Sequence, residues 1–392
     1  MPGGAGRNLG GQKKSLERAQ ALVLVMVVLF VLLLLATAVV TLAGSHRRNA
    51  ASQRDLVQAY YAADAGVERL LVKIREEPGW YAGLPFNLEQ TVFAHVSYAG
   101  GEIQEVRVKK EEAVGPGTKL AITSVGAFHT ARRTIVASVL VSGVSDLVRG
   151  ISILPPVAQG LTISGNFSLV PDPEDKKVLL VLNGSLTLSG STEIRGDAYA
   201  SGSITEQHDN IKGNTYPNYP DVPPFPSLDV EHYKSRALES GQCYQGDKTF
   251  GGKNETTSYS GVYFVEGNVE ISGKYRGRAV IVATGRIDVT GDLKADNTAS
   301  DMLVFISFGD VDIKNHEVDA VVVAKGRFSA QGNASLYGGV LAQGLDFSGQ
   351  GGGTVTITCN PDLVVRNIPS EVAQGTSMSL KVESWKEQYP VL

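Results

Sequence analysis

Four aspartates fall within one short stretch of this 392-residue chain: Asp288, Asp310, Asp312 and Asp319. Three more, Asp292, Asp296 and Asp301, punctuate the segment DLKADNTASD. Paired carboxylates about 5 to 10 Å apart perform glycoside hydrolysis, and clustered ones hold calcium. The local pattern argues against both uses. In GRIDVTG, Ile287 and Val289 point one way along a strand, while Arg286, Asp288 and Thr290 point the other. Asp288 and Asp312 are thereby placed on a solvated face and Asp310 at a corner. The acids of DLKADNTASD lack the D-x-[DN]-x-[DN]-G spacing of a calcium loop. His208 beside Asp209, and His316 beside Glu317, read as surface neighbours, and no Ser/His/Asp arrangement follows from their spacing. No residue is nominated as catalytic, no enzyme activity is expected, and neither a metal nor a cofactor is called for. Cys243 and Cys359 have no zinc-ligand spacing. Either they form a disulfide or they stay as two thiols.

The elements that carry these acids repeat. Residues 279–291 read AVIVATGRIDVTG and residues 320–332 read AVVVAKGRFSAQG. The shared pattern is an apolar run, two residues, a glycine, then alternating apolar residues. Its first glycine falls at Gly160, Gly184, Gly202, Gly267, Gly285, Gly309, Gly326 and Gly344, in steps of 24 and 18, then 18, 24, 17 and 18 residues. Each copy reads as two short strands joined at a glycine corner, a position suited to a residue that tolerates positive φ. One such pair cannot bury its apolar face alone, so the copies must stack, about 4.8 Å per layer, into a continuous core. No helical stretch long enough for a βαβ crossover separates them. The expected fold of residues 150–360 is a right-handed parallel β-helix, a mainly-β solenoid. An antiparallel sandwich is the alternative, but it does not require the recurring glycine register.

Composition adds bounds. Formal net charge is −4 with a sequence pI near 5.9, so no basic surplus points to nucleic acid. From Ala19 to Ser45 there is no charged residue. That stretch is long enough as a helix to cross the roughly 30 Å hydrocarbon core of a bilayer. Arg7, Lys13, Lys14 and Arg18 precede it, and Arg47, Arg48 and Arg54 follow, which favours a cytoplasmic N-terminus and extracytoplasmic remainder. The expected order is a leader over 1–18, an uncleaved single-pass anchor over 19–45, and an amphipathic helix over 46–78. In that helix Leu56, Tyr60, Ala63, Val67, Leu70 and Ile74 form one stripe. Gly44-Ser45 could bend the join, and Pro78-Gly79 ends the helix. Strand patterns at 91–98, 102–110, 120–128 and 132–142 then predict a small antiparallel sheet over 80–145.

The basic leader, ALVLVMVVLFVLLLL and QAYYAADAGVERLL together resemble the N-terminal region of PilX-type minor pilins of type IV pilus systems. SVGAFHTARRTIVASV is similar to the final strands of that pilin-like domain. The resemblance implies membrane insertion, extraction into a pilus or pseudopilus, and packing of the helix against other pilin-like subunits or assembly proteins. Pilins usually carry a glycine before the processing site, and major pilins a glutamate five residues after it. This chain has Arg18-Ala19-Gln20 and no such glutamate, so both leader processing and fibre entry stay open. The repeats also resemble, in architecture only, the polymer-forming bactofilin type of β-helix.

Two regions lose the repeat. Residues 205–260 are rich in proline at first and then read as a short helix over SLDVEHYKSRALESG, with Ser227 or Asp229 as cap and Gly241 past its end. This insertion is expected to cover the side of the solenoid rather than bind a ligand. Residues 361–392 are expected to cap the last layer or trail as a tail. The whole reads as a membrane-anchored surface protein with a structural or adhesive role in, or beside, a type IV pilus apparatus. The alternative is a non-pilus envelope β-helix that binds or degrades surface polysaccharide. Expected partners are pilin-like subunits, membrane lipid and a surface glycan, and not nucleic acid.

Overall fold

A computed structural model of the chain describes residues 10–347 and 353–388; most of the expected leader lies outside its described residues or is described as backbone alone. Helix α1 (Gly10–Glu76) is one uninterrupted element, about 100 Å long at 1.5 Å per residue. The join at Gly44-Ser45 does not break it. A one-turn helix α2 (Pro78–Ala82) follows the Pro78 stop. Strands β1 (Glu89–Tyr98), β2 (Gly101–Val114), β3 (Gly117–Phe128) and β4 (Ala131–Ser142) form an antiparallel meander. Its inner face packs on the second half of α1, burying Val67, Leu70 and Ile74 against Ile103, Val106, Leu120, Ile122 and Ile135.

A parallel β-solenoid of about nine turns follows the short helix α3 (Val144–Leu147). Each turn contributes a strand to three walls. A glycine corner joins the first wall to the second, a tighter turn leads to the third, and a loop returns to the first. The second and third walls alternate as expected. Inward residues stack in ladders, for example Leu293, Val318, Leu336, Ile357, Leu169, Ile194 and Ile211 along the third wall. The first wall does not alternate. All residues of Val178–Leu182, Gly196–Ala200 and Met302–Ser307 are buried. Helix α3 and the helices α4 (Val230–Glu239), α5 (Pro361–Asn367) and α6 (Ser370–Gln374) share one apolar cluster with it. This double burial explains runs such as AVIVA and VLLVL, the signature of a sheet covered on both sides.

Stacking order differs from chain order. Along the first wall, Cys243–Gln245 pairs with Gly261–Glu266, and Arg278–Ala283, Met302–Ser307, Val321–Gln331 and Val340–Asp346 follow. Val340–Asp346 then pairs with Gly150–Ile153, an earlier segment, and the wall continues through Val178–Leu182, Gly196–Ala200 and Thr215–Tyr216. The chain thus enters in the middle, climbs to one end, crosses to the other end and climbs back to its entry point. The crossing narrows the expected 205–260 insertion to residues 217–242, because Ile204–Glu206, Thr215–Tyr216, Cys243–Gln245 and Lys248–Ser258 are all solenoid strands. Nine layer spacings, about 43 Å, separate its ends. Within it, α4 is capped by Asp229, whose Oδ1 accepts from His232 N at 3.1 Å, and it lies on Gly261–Glu266. The crossing covers the solenoid laterally.

Residues 361–388 do not form a loose tail. After the sixth layer ends at Cys359, α5 and α6 lead to a strand, Ser379–Gln388, that pairs antiparallel with β4. The small sheet therefore has five strands, the last contributed by the chain after it has returned to its entry point in the solenoid. The solenoid is an insertion between β4 and its edge neighbour.

Candidate functional site

The element most exposed to a partner or a membrane is the first half of α1. Leu22 through Leu35, with Val39, Val40 and Leu42, are all exposed large apolar residues. The segment is long and apolar enough to cross a membrane, and its apolar stretch is not buried in the folded body. Its polar side chains are satisfied within the helix. The hydroxyls of Thr37, Thr41 and Ser45 donate to the carbonyls of Leu34, Thr37 and Leu42 at 2.8, 2.7 and 2.8 Å. Such back-bonding is what an apolar surrounding requires.

The second half of α1 is seated by small residues. Ala59, Ala62, Ala63 and Gly66 face β3 at very close range. A Cβ on Gly126 would lie 2.1 Å from Ala59 O and 2.2 Å from Ala63 N, and one on Gly66 would meet Ser124 Oγ at 2.3 Å. This is the structural content of QAYYAADAG. Its alanines and glycine let helix backbone approach strand backbone, while Leu56 and Tyr60 of the expected stripe are only half-buried. On the opposite side Val57, Tyr61 and Val72 remain exposed. Asp64, in the same motif, is partly buried, and burial raises its carboxyl above the usual range.

The repeat glycines stand at the corner between the first and second walls, and they stack. Gly285 N donates to Gly267 O at 2.9 Å, Gly309 N to Gly285 O at 3.1 Å, and Gly326 N to Gly309 O at 2.9 Å. Positive φ is not the general reason for glycine here. Among the eight, only Gly184 has it, at 149°. The corners are instead too close for side chains. A Cβ on Gly267 would meet Gly246 C at 2.6 Å, and one on Gly184 would meet Gln159 O, in the adjacent layer, at 1.7 Å. Gly202 and Gly326 are crowded by both side chain and backbone of the adjacent layer and Gly344 by the Arg327 side chain alone, whereas Gly160 has nothing nearer than 4.0 Å. Beside the glycines runs a column of side-chain acceptors. Asp247 Oδ1, Asn268 Oδ1 and Asp310 Oδ1 take the N–H groups of Asn268, Arg286 and Arg327 at 2.7, 3.0 and 2.7 Å.

The acids considered for chemistry are engaged in such structural bonds. Asp288 and Asp312 are cross-strand neighbours on the outer side of the second wall. Burial raises the Asp288 carboxyl, Arg286 pulls it back, and the Asp312 charge raises it further. Asp288 pairs with Arg286 at 2.8 Å. Asp319 is buried; its Oδ2 accepts from Ala295 N at 3.0 Å, and its carbonyl accepts the Tyr275 hydroxyl at 2.6 Å. Burial raises the Asp319 carboxyl and Lys294 opposes the shift. Asp292 accepts from Glu317 N, Asp296 pairs with Arg276, and Asp301 takes the N–H groups of Gly277 and Asn297. Asp209 pairs with Lys212, and His316 lies 3.5 Å from Asp292 rather than acting with Glu317. Among the described residues, no group of three His, Cys, Asp or Glu side chains is arranged to hold a metal.

Cys243 and Cys359 are both free. The disulfide alternative fails on geometry. Cys243 begins the first layer of the stack and Cys359 closes the sixth. Five layer spacings come to about 24 Å, whereas a disulfide holds its Cα atoms within about 7 Å.

Sequence reasoning passed over one residue of interest, Lys110. It extends the inward series Ile103, Val106, Val108 of β2 and is buried. A lysine at the end of an apolar alternation was the available signal.

Residues 20–68 match the PilX N-terminal family model. No curated protein matches the chain. Among solved structures, the competence-associated pilin ComZ from Thermus thermophilus is similar at 16% identity and a TM-score of 0.36, over 85% of this chain and 97% of that one.

Proposed function

We propose that this protein is a membrane-anchored component of a type IV pilus or pseudopilus system that carries a β-solenoid outside the membrane as a structural or adhesive module. One observation carries the reading: the segment matching the PilX N-terminal family is the same helix that leaves the folded body as a bare apolar rod. The match includes the small-residue seat of α1 on β3, so the anchor and the folded body are coupled through one rigid element. In this reading the N-terminus is cytoplasmic, the anchor crosses once, and other pilin-like subunits pack on the helix.

The role is structural rather than catalytic. Support comes from the acids themselves, since Asp288, Asp292, Asp296, Asp301, Asp310 and Asp319 are engaged in ion pairs and backbone caps. Fractionation tests the proposal. The chain should appear in sheared pilus fractions, or be lost from the surface when pilus assembly is blocked. Quantitative retention in washed membranes, unchanged by loss of the assembly machinery, would overturn it. N-terminal sequencing of the mature chain reports whether the leader is removed.

A further inference from the structure

Where the five-stranded sheet meets the solenoid, two cavities of about 280 and 340 Å³ open side by side, and Lys110, Ser145 and Arg366 line both. Lys110 is only 6% exposed. Its Nζ sits 4.5 Å from the Tyr81 ring centroid and 4.7 Å from that of Phe86. Among the described residues it has no carboxylate within ion-pair distance.

Magnitudes make this arrangement incomplete. Withdrawing an ammonium from water costs several kcal/mol even after relaxation, while a cation–π contact returns about 2 kcal/mol when desolvated. A buried lysine normally recovers the remainder from an anion. The nearby acids are committed elsewhere. Asp146 accepts from Thr118 Oγ1 at 2.7 Å and from Gly143 N at 3.0 Å, and Asp362 pairs with Lys176 at 2.7 Å. Four further cations face the larger cavity; Lys176 and Lys177 pair with Asp362 and Asp197, while Arg149 and Arg366 direct hydrogen bonds to carbonyls. Arg149 donates to Gly115 O at 2.6 Å and to Asp146 O at 3.1 Å, and Arg366 to Ala299 O at 3.3 Å. Burial lowers the Lys110 ammonium from its usual range, with Asp146 opposing the shift.

We propose that the cavity at the sheet–solenoid joint binds a small ligand through a carboxylate or phosphate group, which pairs with Lys110, Arg149 and Arg366. The volume admits a molecule the size of one sugar acid. Free phosphate and a uronic acid share the chemistry that these cations recognise. The site joins β2, α3 and α5, so an occupant bridges the anchored sheet and the solenoid.

Calorimetric titration of the full chain in detergent micelles, at fixed ionic strength, tests this with two separate probes: inorganic phosphate and galacturonate. Saturable binding of either supports the site, and which one binds identifies the source of the anion. Lys110→Met should weaken that binding at least about tenfold. Lys110 is buried, so Arg366→Gln, at an exposed position, provides a second variant that leaves the core intact; it should weaken binding about three- to tenfold. Absence of saturable binding of both probes, or wild-type affinity in both variants, overturns the proposal.

Discussion

The amide of Gly285 donates to the carbonyl oxygen of Gly267 at 2.9 Å, and a Cβ added to Gly285 would meet that same oxygen at 2.9 Å. The bond that stacks one layer on the next thus removes the space for a side chain. Residues equivalent in sequence should then differ in tolerance according to what lies beneath them. Gly267→Val, with backbone 2.6 Å from its Cβ, should cost about 2–3 kcal/mol. Gly160→Ala, with nothing nearer than 4.0 Å, should leave Tm unchanged or slightly raised. Paired thermal melts check the contrast, and equal effects would refute the crowding account.

The seat of α1 should be as intolerant. Gly126→Val places a side chain 2.1 Å from the carbonyl oxygen of Ala59, and helix backbone cannot yield to it. A loss above about 3 kcal/mol is expected in the small sheet. Hydrogen exchange should show residues 59–74 opening while the solenoid walls stay protected.

Thiol chemistry separates the two cysteines. Burial pushes the Cys359 thiol up to about 12, so it should resist maleimide in the folded chain, whereas the half-buried Cys243 should react. The folded state holds the Cys359 proton more tightly than the unfolded chain does. That contribution is intact below the ordinary thiol value and is lost as pH rises from there toward about 12. Cys359→Ala should flatten this part of the stability–pH curve. A slope unchanged by the substitution would contradict the assignment.

Tyr275→Phe removes the hydroxyl that Asp319 O accepts at 2.6 Å inside the third wall. The expected loss is about 1–2 kcal/mol. It should appear as a lower urea midpoint with unchanged slope, since the compactness of neither state is altered.

Much of this architecture was legible in the residues. GRIDVTG and GRFSAQG announce a corner followed by an alternating strand, and both segments lie where that reading puts them, Val311 pairing with Ile287 on one side and Phe328 on the other. The helix stripe was legible from Ala63 through Ile74, but QAYYAADAG was legible only as a resemblance, and the small-residue seat at Ala59, Ala62 and Gly66 was not read from it. The position of Gly150–Ile153 against Val340–Asp346 was not legible either. Parallel pairing between distant segments leaves no local mark, and any layer of Val, Ile and Leu fits any other. The return of Ser379–Gln388 to β4 was hidden for the same reason, because LKVES reads as a strand without saying which edge it completes. The glycine corners were found for the wrong cause: positive φ is a property of one residue, while close approach belongs to two layers.

Mid-stack entry carries a consequence for synthesis. The ribosome delivers Gly150–Ile153 first, but its lower neighbour, Val340–Asp346, emerges nearly two hundred residues later. Until then the nascent upper layers present an unpaired β edge and a greasy cross-section. The newborn chain therefore carries that open edge through the interval, and the final closure is a docking of two half-columns rather than growth from one end.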